Sequence, residues 1–80
     1  MPQPTLAQLG AAIRELRTQR SLTIETLAHE AHLHTVSISR IETGQQNLTW
    51  LALSGIAAAL DVEILELVRL ALAKEPTASD

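Results

Sequence analysis

The chain has no cysteine, tyrosine or phenylalanine, and a single tryptophan, Trp50, among its 80 residues. Without cysteine there is neither a disulfide framework nor a thiolate metal site, which fits a cytosolic protein. With one aromatic, the core has to be built from leucine, isoleucine, valine and alanine, a palette that suits small helices packed closely. Apolar residues make up 46% of the chain, enough for one such core, but eighty residues lie near the lower size at which a chain folds unaided. No charged-then-apolar leader and no long apolar span occurs, so secretion and membrane insertion are not expected. Also missing are a nucleophile–base set, a glycine-rich phosphate loop and a plausible carboxylate pair. The chain is therefore not expected to be an enzyme, and no cofactor or small-molecule ligand is evident.

Positive charge is scarce as well. Six lysines and arginines face nine acidic residues, for a net charge of −3, which argues against gripping nucleic acid by charge alone. The distribution softens that objection. Residues 1–50 balance Arg14, Arg17, Arg20 and Arg40 against Glu15, Glu25, Glu30 and Glu42, and the acidic excess lies entirely beyond them. An acidic half can point away from a neutral one.

What is present centres on Leu27–Gly44, LAHEAHLHTVSISRIETG. Apolar or small residues at Leu27, Ala28, Ala31, Leu33, Ile38 and Ile41 do not form one 3.6-residue stripe. They match two short helices crossing steeply at a tight turn, each giving a face to one small core. Ala28 lies where the second helix must come close. The remaining face of that helix is Thr35, Val36, Ser37, Ser39 and Arg40: short, mostly polar, and tipped with one guanidinium. Such a face fits a DNA major groove.

With LGAAIRELRTQRSLT, ETLA, ISRIETG, NLT and IAAALDV in this order and spacing, the chain resembles the Cro/C1-type (XRE) helix-turn-helix family over about residues 6–70. Within it, length and layout are similar to restriction–modification controller proteins and short phage repressors. The resemblance implies an all-α, five-helix, lambda-repressor-like DNA-binding domain, with the helix-turn-helix at helices 2 and 3. It also implies a bacterial or phage-derived, cytoplasmic protein. The domain is expected over 5–74, between a loose arm at 1–4 and a tail at 75–80, with fraying from Lys74.

Thr5 and Gln8 form a capping box for the first helix, whose stripe Leu6, Leu9, Ile13 and Leu16 should run to about Gln19. Arg17 sits beside that stripe. A solvated arginine is the plain alternative, but the resemblance implies, as the preferred reading, a structural ion pair with the glutamate closing helix three, here Glu42. Thr23 should cap helix two, with Leu22 and Leu27 as a hydrophobic staple. Many relatives carry a phosphate-reaching Gln at position 24; here it is Ile24, and that contact is lost. His32 occupies a turn position that tends to the left-handed region and is often Gly. His34 takes the cap position of helix three, where Ser or Thr is commoner. His29, His32 and His34 prompt a metal site, but they straddle a helix end without ligand spacing, and surface histidines are the preferred reading. Gly44 should end helix three, and Thr49 should cap helix four, with Leu53, Ile56, Ala57 and Leu60 facing the core.

The last helix, about 63–74, carries Ile64, Leu65, Leu67, Val68, Leu70, Ala71 and Leu72 over more than half its circumference. That surplus suggests self-association through Leu65, Val68 and Leu72, against the alternative of a helix sunk into its own core.

The expected function is a sequence-specific transcriptional regulator, binding double-stranded DNA as a homodimer on an inverted-repeat operator. Arg40 would read guanine, Val36 and the Thr35 methyl would meet thymine methyls, and Ser37 and Ser39 would contact bases or nearby phosphates. Arg20, Thr23, His34, Thr43, Gln45, Gln46 and Asn47 would position the backbone. The alternative is a protein-interaction or antitoxin-like helix-turn-helix module with weak or no DNA binding, supported by the acidic balance and by a loop at 45–47 that lacks the usual Lys or Arg.

Overall fold

The computed structural model describes residues 3–75. Within them the chain forms five helices: α1 (Leu6–Gln19), α2 (Ile24–Ala31), α3 (Thr35–Glu42), α4 (Trp50–Ala59) and α5 (Ile64–Leu72). α1 packs against α3 and α5, α2 against α3 and α4, and α4 against α5. No helix among the described residues is long and apolar enough to cross a membrane.

α1, α2 and α4 each start on a threonine cap. The Gln8 N–H donates to Thr5 Oγ1 at 3.0 Å while the Thr5 N–H donates to Gln8 Oε1 at 2.8 Å, so two otherwise orphaned amides are satisfied reciprocally. Thr23 Oγ1 accepts from the Thr26 N–H, and Thr49 Oγ1 from the Ala52 N–H, both at 3.0 Å.

The helix ends repeat one device. The first four helices all close on a residue with positive φ: Ser21 at 56°, His32 at 59°, Gly44 at 75° and Asp61 at 58°. In each, the following N–H reaches back five residues: Leu22 to Arg17, Leu33 to Ala28, Gln45 to Arg40 and Val62 to Ala57. This is the Schellman closure, and Leu22, Leu33 and Val62 then drop onto the core as its hydrophobic partner. Only Gly44 adopts the left-handed conformation without strain; Ser21, His32 and Asp61 hold it against the clash of a Cβ.

The core is aliphatic. Ala12, Ile13, Leu27, Ile38, Ile56, Leu60, Leu67 and Ala71 are buried completely, with Ala28 and Ile41 nearly so. Gly10 sets the distance between α1 and α3. A Cβ there would lie 2.6 Å from the Glu42 carbonyl oxygen and would also strike that of Ile41.

α5 divides its apolar surplus. Leu67 and Ala71 sink into the core, Ile64, Val68 and Leu70 are half-buried, and Leu65 and Leu72 face outward. The sequence reading needs one correction here. Lys74 does not fray: its carbonyl accepts from Gln8 Nε2 at 2.9 Å, and its ammonium pairs with Glu15 on α1. The amide of Gln8, a capping residue whose second role is invisible locally, thus holds the end of α5. Of the expected arm and tail, residues 1–2 and 76–80 lie outside the described residues.

Because the α1–α3 approach leaves no room at Gly10, Gly10→Ala should lower unfolding stability by about 1–3 kcal/mol, as overpacking does. Urea denaturation followed by helical circular dichroism checks this.

Candidate nucleic-acid interface

α3 turns Ile38 and Ile41 into the core. At about 100° per residue, this leaves Thr35, Val36, Ser39 and Arg40 on the opposite side, all exposed, with Val36 58% accessible. Ser37 lies at the margin and is half-buried. His34 is the N-cap, but its side chain makes no capping hydrogen bond. Among the described residues two ion pairs occur, Arg17–Glu42 and Glu15–Lys74, and neither engages the Arg40 guanidinium.

The orientation of this face is fixed from behind. Arg17 on α1 donates from Nε to Glu42 Oε2 at 2.6 Å and from Nη2 to Glu42 Oε1 at 3.1 Å. Its Nη1 donates to the Leu22 carbonyl at 2.8 Å. The pair is nearly enclosed, the two side chains being 11% and 5% accessible. The hydrogen bond to Glu42 raises the Arg17 pKa above the ordinary arginine value, against the opposing effect of burial. A base whose folded pKa is raised contributes stability below its unfolded value and loses it only as pH rises through the folded one. Arg17 is therefore charged throughout the neutral range.

Between the first turn of α2 and the N-terminal half of α3 runs an open groove of about 520 Å³, lined by Arg17, Leu22, Thr23, Ile24, Glu25, Thr35, Val36 and Ser39. The groove brings together four of the residues expected to touch DNA: Thr23, Thr35, Val36 and Ser39. Arg40, Ser37, Arg20, His34, Thr43 and the loop Gln45–Asn47 lie outside it. Two of the backbone candidates use their hydroxyls internally. Thr23 Oγ1 donates to Thr26 Oγ1 at 2.9 Å, and Thr43 Oγ1 points at the Ser39 and Arg40 carbonyls, each at 3.2 Å. Each retains acceptor capacity, but its proton is engaged with its own helix. Arg20, at the end of α1, and Gln45 and Asn47 are exposed, while Gln46 is half-buried.

Sequence reasoning passed over Ile24 as a lost contact, and the structure places it in the groove beside Val36. It also gave no weight to Trp50 and Leu51, which stand 68% and 81% accessible on the first turn of α4. The signal was there, since Leu51 breaks the core stripe of that helix. Among the described residues, no three of His, Cys, Asp or Glu converge as a metal site requires.

Five helices with a short, polar, outward-facing third helix define a helix-turn-helix protein. The sequence matches the helix-turn-helix domain family over residues 8–70, and the chain belongs to that family, in its XRE-type branch. Among solved structures, the chain is similar to the restriction-modification controller protein C.AhdI from Aeromonas hydrophila. That match has 39% identity and a TM-score of 0.76, and covers 78% of this chain and 94% of that one. It is also similar to the clp gene regulator ClgR from Corynebacterium glutamicum, with 25% identity, a TM-score of 0.81, and 88% and 92% covered. A third similar structure is the controller protein C.Esp1396I, with 28% identity, a TM-score of 0.77, and 84% and 87% covered. None of the curated proteins matches the chain.

Glu42→Ala would leave the Arg17 guanidinium enclosed without its carboxylate and should cost about 3–5 kcal/mol of stability. In a double-mutant cycle with Arg17→Ala, the double variant should lose clearly less than the sum of the singles. Additive losses in thermal unfolding would show that the contact contributes nothing.

Proposed function

We propose that this protein is a sequence-specific DNA-binding transcription regulator of the controller type, acting as a homodimer with α3 in the major groove. The observation that carries the reading is the exposed face of Thr35, Val36, Ser39 and Arg40 on a helix held from behind by the Arg17–Glu42 pair. A groove-reading helix needs donors and methyl groups on short side chains, plus a rigid base, and α3 has both. The 39% identity to a restriction-modification controller protein supports the same reading.

In this scheme Arg40 reads guanine through O6 and N7, while Thr35, Val36, Ser37 and Ser39 contact neighbouring base edges. Arg20, Thr23, His34, Thr43, Gln45, Gln46 and Asn47 lie along the phosphates. Leu65, Val68 and Leu72 recur on one side of α5 at helical spacing. Leu65 and Leu72 are exposed there, which supports pairing of two copies through this stripe. A two-fold dimer presents each surface twice, so the operator is an inverted repeat with half-site centres on the order of 34 Å apart. Pairing also compensates for weak electrostatics, because few phosphates can be neutralised by each subunit.

Selecting bound duplexes from a random pool tests the reading. An enriched inverted repeat supports it, whereas no enrichment even at low salt favours a protein-interaction module instead. On the selected operator, Arg40→Ala should weaken binding by roughly 1–3 kcal/mol and relax preference at one base pair per half-site. A uniform loss on all sequences would make Arg40 a phosphate contact. Leu65→Glu should leave the helical spectrum intact, shift the sedimenting species to monomer and abolish tight operator binding. Full affinity of a monomer for one half-site would overturn the dimer.

A further inference from the structure

The groove between α2 and α3 is chemically unsuited to the phosphate its position suggests. Its one cation, Arg17, is already committed to the Glu42 carboxylate and the Leu22 carbonyl. Glu25, an exposed acid on the first turn of α2, lines the groove and adds negative charge. The Thr23 hydroxyl is bonded within the α2 cap. Apart from the Thr35 and Ser39 hydroxyls of the reading face, what remains open is apolar: Ile24 from α2 and Val36 from α3, half-buried and exposed respectively, line the same groove with the half-buried Leu22.

Base edges in the major groove are donors and acceptors with one exception, the C5 methyl of thymine. An apolar cleft that opens beside the base-reading side chains of α3 has therefore one group to match on duplex DNA. We infer that Ile24 and Val36 form a thymine-methyl cleft, which makes Ile24 a specificity-determining residue contributed by α2 and not by the recognition helix. The inference rests on the DNA-binding reading above. Its physical content is that a position on the helix preceding α3 contributes sequence selectivity instead of sequence-blind affinity, since isoleucine makes no hydrogen bond to a phosphate.

The test uses the full chain and the operator obtained by selection. Replacing one thymine by deoxyuridine removes the methyl and leaves the base pair unchanged. At one position in each half-site, this change should weaken binding about fourfold, the worth of one buried methyl-sized group. Ile24→Gln should bring that thymine-to-uracil ratio close to one while preserving the guanine preference set by Arg40. Ile24→Val, which keeps the apolar packing if Gln disturbs the fold, should reduce the ratio partway, and Val36→Ala, changed at an exposed site, should reduce it as well. Equal binding of thymine and uracil operators at every position overturns the inference, as does an operator with no preferred thymine. A ratio unchanged in both Ile24→Val and Val36→Ala overturns it too. In these cases operator binding itself stands. Failure to enrich any duplex removes the DNA-binding reading, and this inference with it.

Discussion

The bidentate bond between Arg17 and Glu42 connects three parts of the molecule through one guanidinium. Its Nε and Nη2 hold the last residue of α3, and its Nη1 holds the Leu22 carbonyl in the joint before α2. α3 has only two residues fully in the core, Ile38 and Ile41. Two aliphatic side chains resist rotation of so short a helix only weakly. A planar fork with fixed donor directions supplies the missing angular constraint. Burying the two charges is itself expensive, so the value of the pair lies in geometry more than in net stability.

Everything near that pair is dimensioned to it. Gly10 lets the end of α3 approach α1 closely enough for Arg17 to reach Glu42, and Gly44 turns the chain away immediately after. Three other closures use Ser21, His32 and Asp61 in the left-handed conformation where glycine would be relaxed. At these points the closing backbone bond and the leucine or valine that follows outweigh the local strain. The α5 end is anchored differently, by the Gln8 amide and the Glu15–Lys74 pair, so that α1 organises both α3 and α5.

The surface that faces outward is correspondingly economical in charge. The half of the chain carrying α3 is electrically neutral overall, and the whole acidic excess lies after residue 50. In the proposed DNA-binding role, with Arg17 internal, affinity would come from Arg40 and Arg20, from polar and apolar contacts and from doubling through a second copy. Leu65 and Leu72 on α5, and Ile24 and Val36 in the groove between α2 and α3, leave aliphatic surface that would suit those tasks.

How much of this was legible beforehand depends on the range of each interaction. The five helices, the caps at Thr5, Thr23 and Thr49, the stop at Gly44 and the outward Val36 follow from patterns within a few residues, which is how far capping and helical periodicity reach. The XRE-type family was readable from motif order alone. The second role of Gln8, the anchoring of Lys74 and the closeness demanded at Gly10 join residues far apart in the chain, and no local pattern encodes them. Ile24 shows the limit most plainly. In the sequence it is a missing hydrogen-bonding residue; only the packing of α2 on α3 decides that it lines a groove with Val36. Sequence by itself determined the elements and the face each presents, because those depend on backbone hydrogen bonds and side-chain spacing. Tertiary structure alone decided which faces meet, which charge is consumed internally and which apolar surface is left open, because these depend on distances set by the packing of the whole core.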